Sequence, residues 1–165
     1  EPFRFSRNPK LDALVMLVEE CVLNQLNPTS VIVWAWYRED IRAIKEALAH
    51  LSPVTIAGGM SRRDREAAET AFRRGETRLL IGNPASAGLG LNLQAASVAF
   101  YYSQSYNLEH RAQSEDRCHR SGSEIHDSVT YVDLVCKDTI DEAVRNVLAG
   151  KMALADAVVE IREAL

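Results

Sequence analysis

The sequence predicts a three-layer α/β domain with a mostly parallel central sheet flanked by helices. Short strand-like apolar runs alternate with segments of helical period along the chain. The run Val31-Ile32-Val33-Trp34-Ala35-Trp36 is apolar at every position, as a strand covered on both faces requires. At 165 residues, with 47% apolar and 25% charged content, the chain fits one ordinary domain with a substantial core. No apolar run approaches the roughly 20 residues of a membrane span, so no membrane partner is expected.

Each element has a local reason. Residues 1–9 form a polar lead-in interrupted by Pro2 and Pro9, and over residues 10–25 Leu11, Leu14, Val15, Val18 and Val22 follow helical spacing. Asn27-Pro28-Thr29 breaks that helix before the strand at 31–36. Residues 38–51 return to helical spacing through Ile41, Ile44 and Leu48, and 53–57 form a short strand ended by Gly58-Gly59. Ser61 is a natural N-cap for a helix to residue 74, with Ala68, Ala71 and Phe72 facing the core. A strand at 77–81, a small-residue loop at 82–90 and a strand at 97–102 follow. A helix at 107–120 precedes the strand at 128–135. Thr139-Ile140-Asp141-Glu142 has the form of a capping box and opens a C-terminal helical region over 138–165, with a break expected near Gly150. In such sheets the ligand site lies beyond the carboxyl ends of the strands, where the loops after Ala57 and Ile81 fall.

The net charge of −4 and pI near 5.6 argue against a surface that is basic all over. They leave room for a local basic face from Arg62, Arg63, Arg65, Arg73 and Arg74. Cys21, Cys118 and Cys136 are far apart, with no metal-ligand spacing, and read as reduced thiols of a cytosolic protein without a zinc site. Nothing suggests a secretory leader, and an opening without methionine suggests a piece of a longer protein.

The chemistry concentrates in Gln113-Ser114-Glu115-Asp116-Arg117-Cys118-His119-Arg120-Ser121-Gly122-Ser123. On a helix, Arg117 and Arg120 emerge on nearly one face, where two guanidiniums are comfortable only beside an acidic group or a polyanion. That pattern suits a phosphate clamp, and equally a solvated helix end with charge pairs. His119 reads as an organiser of the loop rather than a general base, since no nucleophile pattern accompanies it. Gly88-Leu89-Gly90 allows close backbone approach to a phosphate, and a tight turn explains the glycines equally well. Asn92 has a structural role by preference, and Trp34 and Trp36 belong by preference to the core. Gly58-Gly59-Met60-Ser61, entering an arginine-rich helix, suits either a DNA phosphate or a plain turn. There is no Gly-x-x-x-x-Gly-Lys-Ser/Thr phosphate loop and no Asp-Glu-x-His box. A chain with arginine clamps and no phosphate loop can be half of an ATPase.

With these residues in view, the chain resembles the second RecA-like lobe of superfamily-two helicases and translocases, most closely of the Swi/Snf type. The pattern Gln113-x-x-Asp116-Arg117-x-His119-Arg120-x-Gly122 matches the last helicase motif of that family except that Ser123 stands for the closing glutamine. Gly88 to Leu93 match the preceding motif, Thr139 to Glu142 the segment that follows, and Gly59, Arg65 and Phe72 the motif after the second strand. The resemblance implies that residues 1–165 form a single lobe whose Arg117 and Arg120 face ATP held by the N-terminal lobe of the same polypeptide. Arg120 is the favoured arginine finger. Gln113 would organise the interface near the attacking water, Asp116 would hold the arginines, and Gly88 and Gly90 would sit at the same cleft. Ser61, Arg65 and Ser86 would touch the backbone of double-stranded DNA. ATP with Mg2+ is the implied cofactor, the metal being held by the other lobe, and this fragment alone would be inactive. The protein is expected in the cytoplasm, or in the nucleus of a eukaryote. Pro84 and Ala87 depart from the usual Thr and Gly, and a proline donates no amide hydrogen bond. The alternative is a stand-alone RecA-like scaffold or binding module without ATPase activity.

Overall fold

The computed structural model describes residues 8–118 and 126–163, with 87–89 and 155–163 described through the backbone only. Five parallel strands form one sheet in the order β2-β3-β1-β4-β5. They are β1 (Val31–Trp34), β2 (Val54–Ile56), β3 (Leu79–Gly82), β4 (Val98–Tyr101) and β5 (Thr130–Asp133). The helices are α1 (Pro9–Val22), α2 (Arg38–Ala47), α3 (Arg62–Arg73), α4 (Leu108–Cys118) and α5 (Ile140–Glu163).

The strand residues alternate between two cores. Ile32, Trp34, Ile56, Leu80, Ala99 and Tyr101 face Ala68 and Phe72 of α3 and Cys118 of α4. Val31, Val33, Leu79, Ile81, Phe100 and Tyr102 face Leu14 and Val18 of α1 and Ile41, Ile44 and Leu48 of α2. The three layers are thereby complete, and β1 and β3 are buried at all four positions. Burying each such Leu, Ile or Val side chain stabilises the fold by roughly 1.5–3 kcal/mol.

Several boundaries differ from the sequence expectation for visible reasons. β1 ends at Trp34 because Trp36 leaves the ladder: its amide donates to Ser103 Oγ at 2.9 Å and its carbonyl accepts from Asn83 Nδ2 at 2.8 Å. Of the two tryptophans, Trp34 is fully buried and Trp36 only half-buried. β3 starts at Leu79 rather than residue 77, since Thr77 Oγ1 accepts the Leu79 amide at 3.2 Å. α2 stops at Ala47, and a 3-10 turn (Ala49–Leu51) carries the chain to Ser52, whose φ of 50° is left-handed. Thr139 Oγ1 accepts the Asp141 amide at 3.3 Å, while Glu142 reaches back to the amide of Asp138 at 3.2 Å, one residue earlier than a capping box has it. The expected break near Gly150 is absent, because α5 is continuous from Ile140 to Glu163. Among the described residues no helix is long and apolar enough to cross a membrane.

Candidate nucleotide and DNA site at the carboxyl edge

The strand register brings the carboxyl ends of the sheet level: Trp34 pairs with Gly82 and with Tyr101, and Tyr101 with Asp133. Everything unusual in the sequence leaves from this edge. After β3, Asn83 knits three segments together. Its amide donates to the Ile56 carbonyl at 3.1 Å, its Nδ2 reaches Trp36, and its Oδ1 accepts from the Ala85 amide at 2.9 Å. That last bond caps a 3-10 helix (Pro84–Leu89). Pro84 stands at its first position, where an amide has no partner within the helix, so proline is accommodated without loss of a bond.

The glycine loop is built for shape. Gly88 lies within the 3-10 helix, and Gly90 closes it with φ of 79°. A Cβ at Gly90 would meet nothing within 4 Å, so the requirement there is the left-handed backbone rather than space. Ser86, expected at the DNA backbone, is buried at 6% exposure, with its amide on the Asn83 carbonyl at 2.9 Å. Leu91 and Leu93 return the chain to the core. Asn92 takes a structural place: its amide donates to Glu69 Oε1 at 3.0 Å and its Oδ1 accepts from the Gln94 amide at 3.3 Å.

The 3-10 helix packs on α4, and the Leu93 amide donates to the Arg117 carbonyl at 3.1 Å. Asn107 Oδ1 caps α4 by accepting from the Glu109 amide at 2.9 Å. On α4, Gln113 and Arg117 are half-buried and Asp116 is exposed, with Gln113 Nε2 donating to Glu109 Oε1 at 2.9 Å. Glycine turn and arginine helix are therefore adjacent. Arg120, His119, Ser121, Gly122 and Ser123 lie outside the described residues.

Across the loop, α3 carries the expected DNA-side residues. Ser61 is its N-cap, with Oγ accepting from the Asp64 amide at 3.1 Å and donating to the Asp64 carboxylate at 2.8 Å. Arg65 donates from Nη2 to the Met60 carbonyl at 3.3 Å, while its Nε is buried and unpartnered. Arg62, Arg65, Glu66, Glu69, Gly90 and Leu91 line a cleft of about 420 Å³, which joins Arg65 to the glycine loop. Ser61 is not among its lining residues. Among the described residues no cluster of His, Cys, Asp or Glu could hold a metal ion.

Sequence reasoning missed a second constellation at this edge. Arg111 sits 3.6 Å from the centroid of the Tyr101 ring, pairs with Glu115 and Asp133, and donates to Gln104 Oε1 at 2.7 Å. Burial opposes its charge, yet Tyr101, Asp133 and Glu115 together raise its pKa and hold it cationic. Burial also raises the Tyr101 phenol above its ordinary value, against the pull of Arg111. Trp36 stacks on His110 with centroids 5.2 Å apart. The spacing of Arg111 and Glu115, four apart on a helix, was the one local signal.

The family model of the helicase conserved C-terminal domain matches residues 10–122. The chain belongs to that family. Chromatin-remodeling ATPase INO80 of Cryptococcus neoformans is 39% identical over 72 residues, 44% of this chain and 4% of that protein. Lymphoid-specific helicase of Homo sapiens is 31% identical over 105 residues, 63% of this chain and 11% of that protein. The C-terminal part of the Fun30 ATPase domain superposes with a TM-score of 0.76 at 22% identity, covering 88% of this chain and 48% of that one. This helicase C-terminal domain is of the Swi/Snf type, with the RecA-like fold. The chain spans only 4% to 14% of the length of these and similar curated relatives.

Proposed function

We propose that this chain is the second lobe of a DNA-stimulated, ATP-dependent translocase acting on double-stranded DNA. The observation that carries the reading is the direct seam between the glycine turn and α4. The Leu93–Arg117 main-chain bond fixes the loop that ends in Gly90 against the helix bearing Gln113 and Arg117. A shift of nucleotide contacts on α4 therefore moves the loop, and with it the cleft that holds Arg65.

In this reading Arg117 and Arg120 reach the phosphates of ATP bound by the N-terminal lobe, and Arg120 is the finger that neutralises charge on the γ-phosphate. Gln113 lies on the same helix near the attacking water. Asp116 steadies the arginines, and Gly88 and Gly90 border the nucleotide cleft. Mg2+ is held by the other lobe. Arg65 and the start of α3 at Ser61 meet the DNA backbone, a contact that needs no base readout. Ser86 acts from within, through the shape of its turn.

The test is ATP turnover by the full-length protein with and without duplex DNA, beside displacement of a third strand from a triplex. Hydrolysis stimulated by duplex and coupled to triplex displacement is expected, and the isolated lobe should be inactive. A full-length protein that binds DNA without hydrolysing ATP would make this lobe a scaffold instead.

A further inference from the structure

We propose that Arg111 is a positioning residue for the nucleotide-facing side of α4. The inference rests on the reading above, in which α4 carries Gln113 and Arg117 to ATP. Arg111 itself faces the other way. At 3.6 residues per turn, Gln113 and Arg117 lie about 200° and 240° around the helix from it. Arg111 shares its side with Ser114, Glu115 and Cys118, which pack toward the sheet.

That inner side is bonded to the ends of β4 and β5, to the strand residue Tyr131 and to the loop after β4. The Arg111 side chain is 12% exposed and is held by the Tyr101 ring at the end of β4, Gln104 in the following loop, Asp133 at the end of β5 and Glu115 one turn on. Gln104 closes the ring by donating to Asp133 at 3.1 Å. Beside it, buried Ser114 shares a 2.6 Å hydrogen bond with the Tyr101 hydroxyl, and Tyr131 Oη donates to the Glu115 carbonyl at 3.1 Å. Together these contacts fix both the rotation of α4 and its position along its axis. With side chains about 6 Å from the helix axis, a rotation of about 10° displaces Gln113 and Arg117 by about 1 Å. A misplacement of that size is enough to slow a phosphoryl transfer severely.

The chemistry calls for arginine in particular. A planar fork can stack on Tyr101 while its separate Nε and Nη1 donate to Glu115 and to Gln104 and Asp133, whereas a lysine ammonium is a single point of charge with no plane to stack and no second nitrogen to spread its bonds. Lysine at 111 keeps the charge and loses the geometry.

The experiment compares full-length wild type with Arg111→Lys, Arg111→Gln and Asp133→Asn, at a temperature where thermal melts show each to be folded. We expect kcat for DNA-stimulated hydrolysis to fall about tenfold or more in both Arg111 variants, and less in Asp133→Asn, which keeps an acceptor. The KM for ATP and the Kd for duplex DNA should change by less than kcat does, because Arg111 acts on either ligand only through the placing of α4. A merely structural role lowers Tm and leaves kcat per folded molecule unchanged; that result would overturn the proposal, as would a loss confined to KM or DNA affinity. If Arg111→Gln does not fold, Arg111→Lys and Asp133→Asn decide the matter. The translocase reading fails separately: wild type would then lack DNA-stimulated turnover, or Arg120→Ala would retain it.

Discussion

Cys118 shows how far the environment of one residue can be read into behaviour. It is 3% exposed at the last turn of α4, and burial, with Glu115 adding to it, pushes its thiol up to about 12 from 9.0. A folded pKa raised above the unfolded one contributes stability that is fully present below pH 9.0 and lost as the pH rises toward 12. Alkaline unfolding should therefore set in across that window and shift to higher pH in Cys118→Ala. In native protein at about pH 8.5, iodoacetamide should spare Cys118 while half-buried Cys136 reacts. Equal labelling of the two thiols before unfolding would refute this burial. Gly82 offers a second test, because a Cβ there would lie 2.8 Å from the Trp34 ring and 3.2 Å from the Ile56 carbonyl oxygen. Gly82→Ala should cost about 1–3 kcal/mol in urea denaturation, the usual penalty of overpacking. An unchanged midpoint would mean that the β1–β3 seam is looser than described.

At the scale of elements, the strands were legible because a parallel sheet buries both faces. The uninterrupted Val31–Trp34 and Leu79–Gly82 runs announce that directly. Their ends were less so. Whether Trp36 continues β1 depends on Ser103 and Asn83, which lie 67 and 47 residues away and compete for its backbone. The last helicase motif was readable since its residues are neighbours in sequence. Arg111 was not, because what defines it is Asp133, 22 residues on, and the Tyr101 ring. Gly150 was misjudged for a related reason: glycine weakens a helix without ending it, and Ile140–Glu163 runs through. The glycine has open space around it. Gly150→Ala is accordingly expected to stabilise the protein by about 0.5–1 kcal/mol, raising Tm. A lower Tm would point to a real interruption at that position.

Over the whole molecule, chain-distant ties hold the carboxyl edge together. Lys10 in the first turn of α1 reaches Asp141 in the first turn of α5 at 2.5 Å, across 131 residues, with side chains 12% and 21% exposed. Asp141 also accepts the Cys136 amide at 3.0 Å. Nearby, Asp40 accepts from Ser103 Oγ at 2.6 Å, which in turn receives the Trp36 amide. Removing one charge of the Lys10–Asp141 pair leaves the other partly buried and unpaired, so Asp141→Ala should cost about 1–3 kcal/mol. That cost should appear as a lower denaturation midpoint with an unchanged m-value. A shift under about 0.5 kcal/mol would class the pair with ordinary surface bridges.

In the proposed two-lobe translocase, this lobe would supply the cation that completes an ATP site built in the other lobe. The most direct measurement is ATP turnover of the full-length protein on saturating duplex DNA, wild type against Arg120→Ala, with ATP affinity measured in parallel. A loss of about 10³-fold or more in rate with ATP still bound is expected, the magnitude that arginine fingers supply to phosphoryl transfer. Turnover by Arg120→Ala at the wild-type rate would contradict it, and would leave the arginine helix a structural element of the lobe.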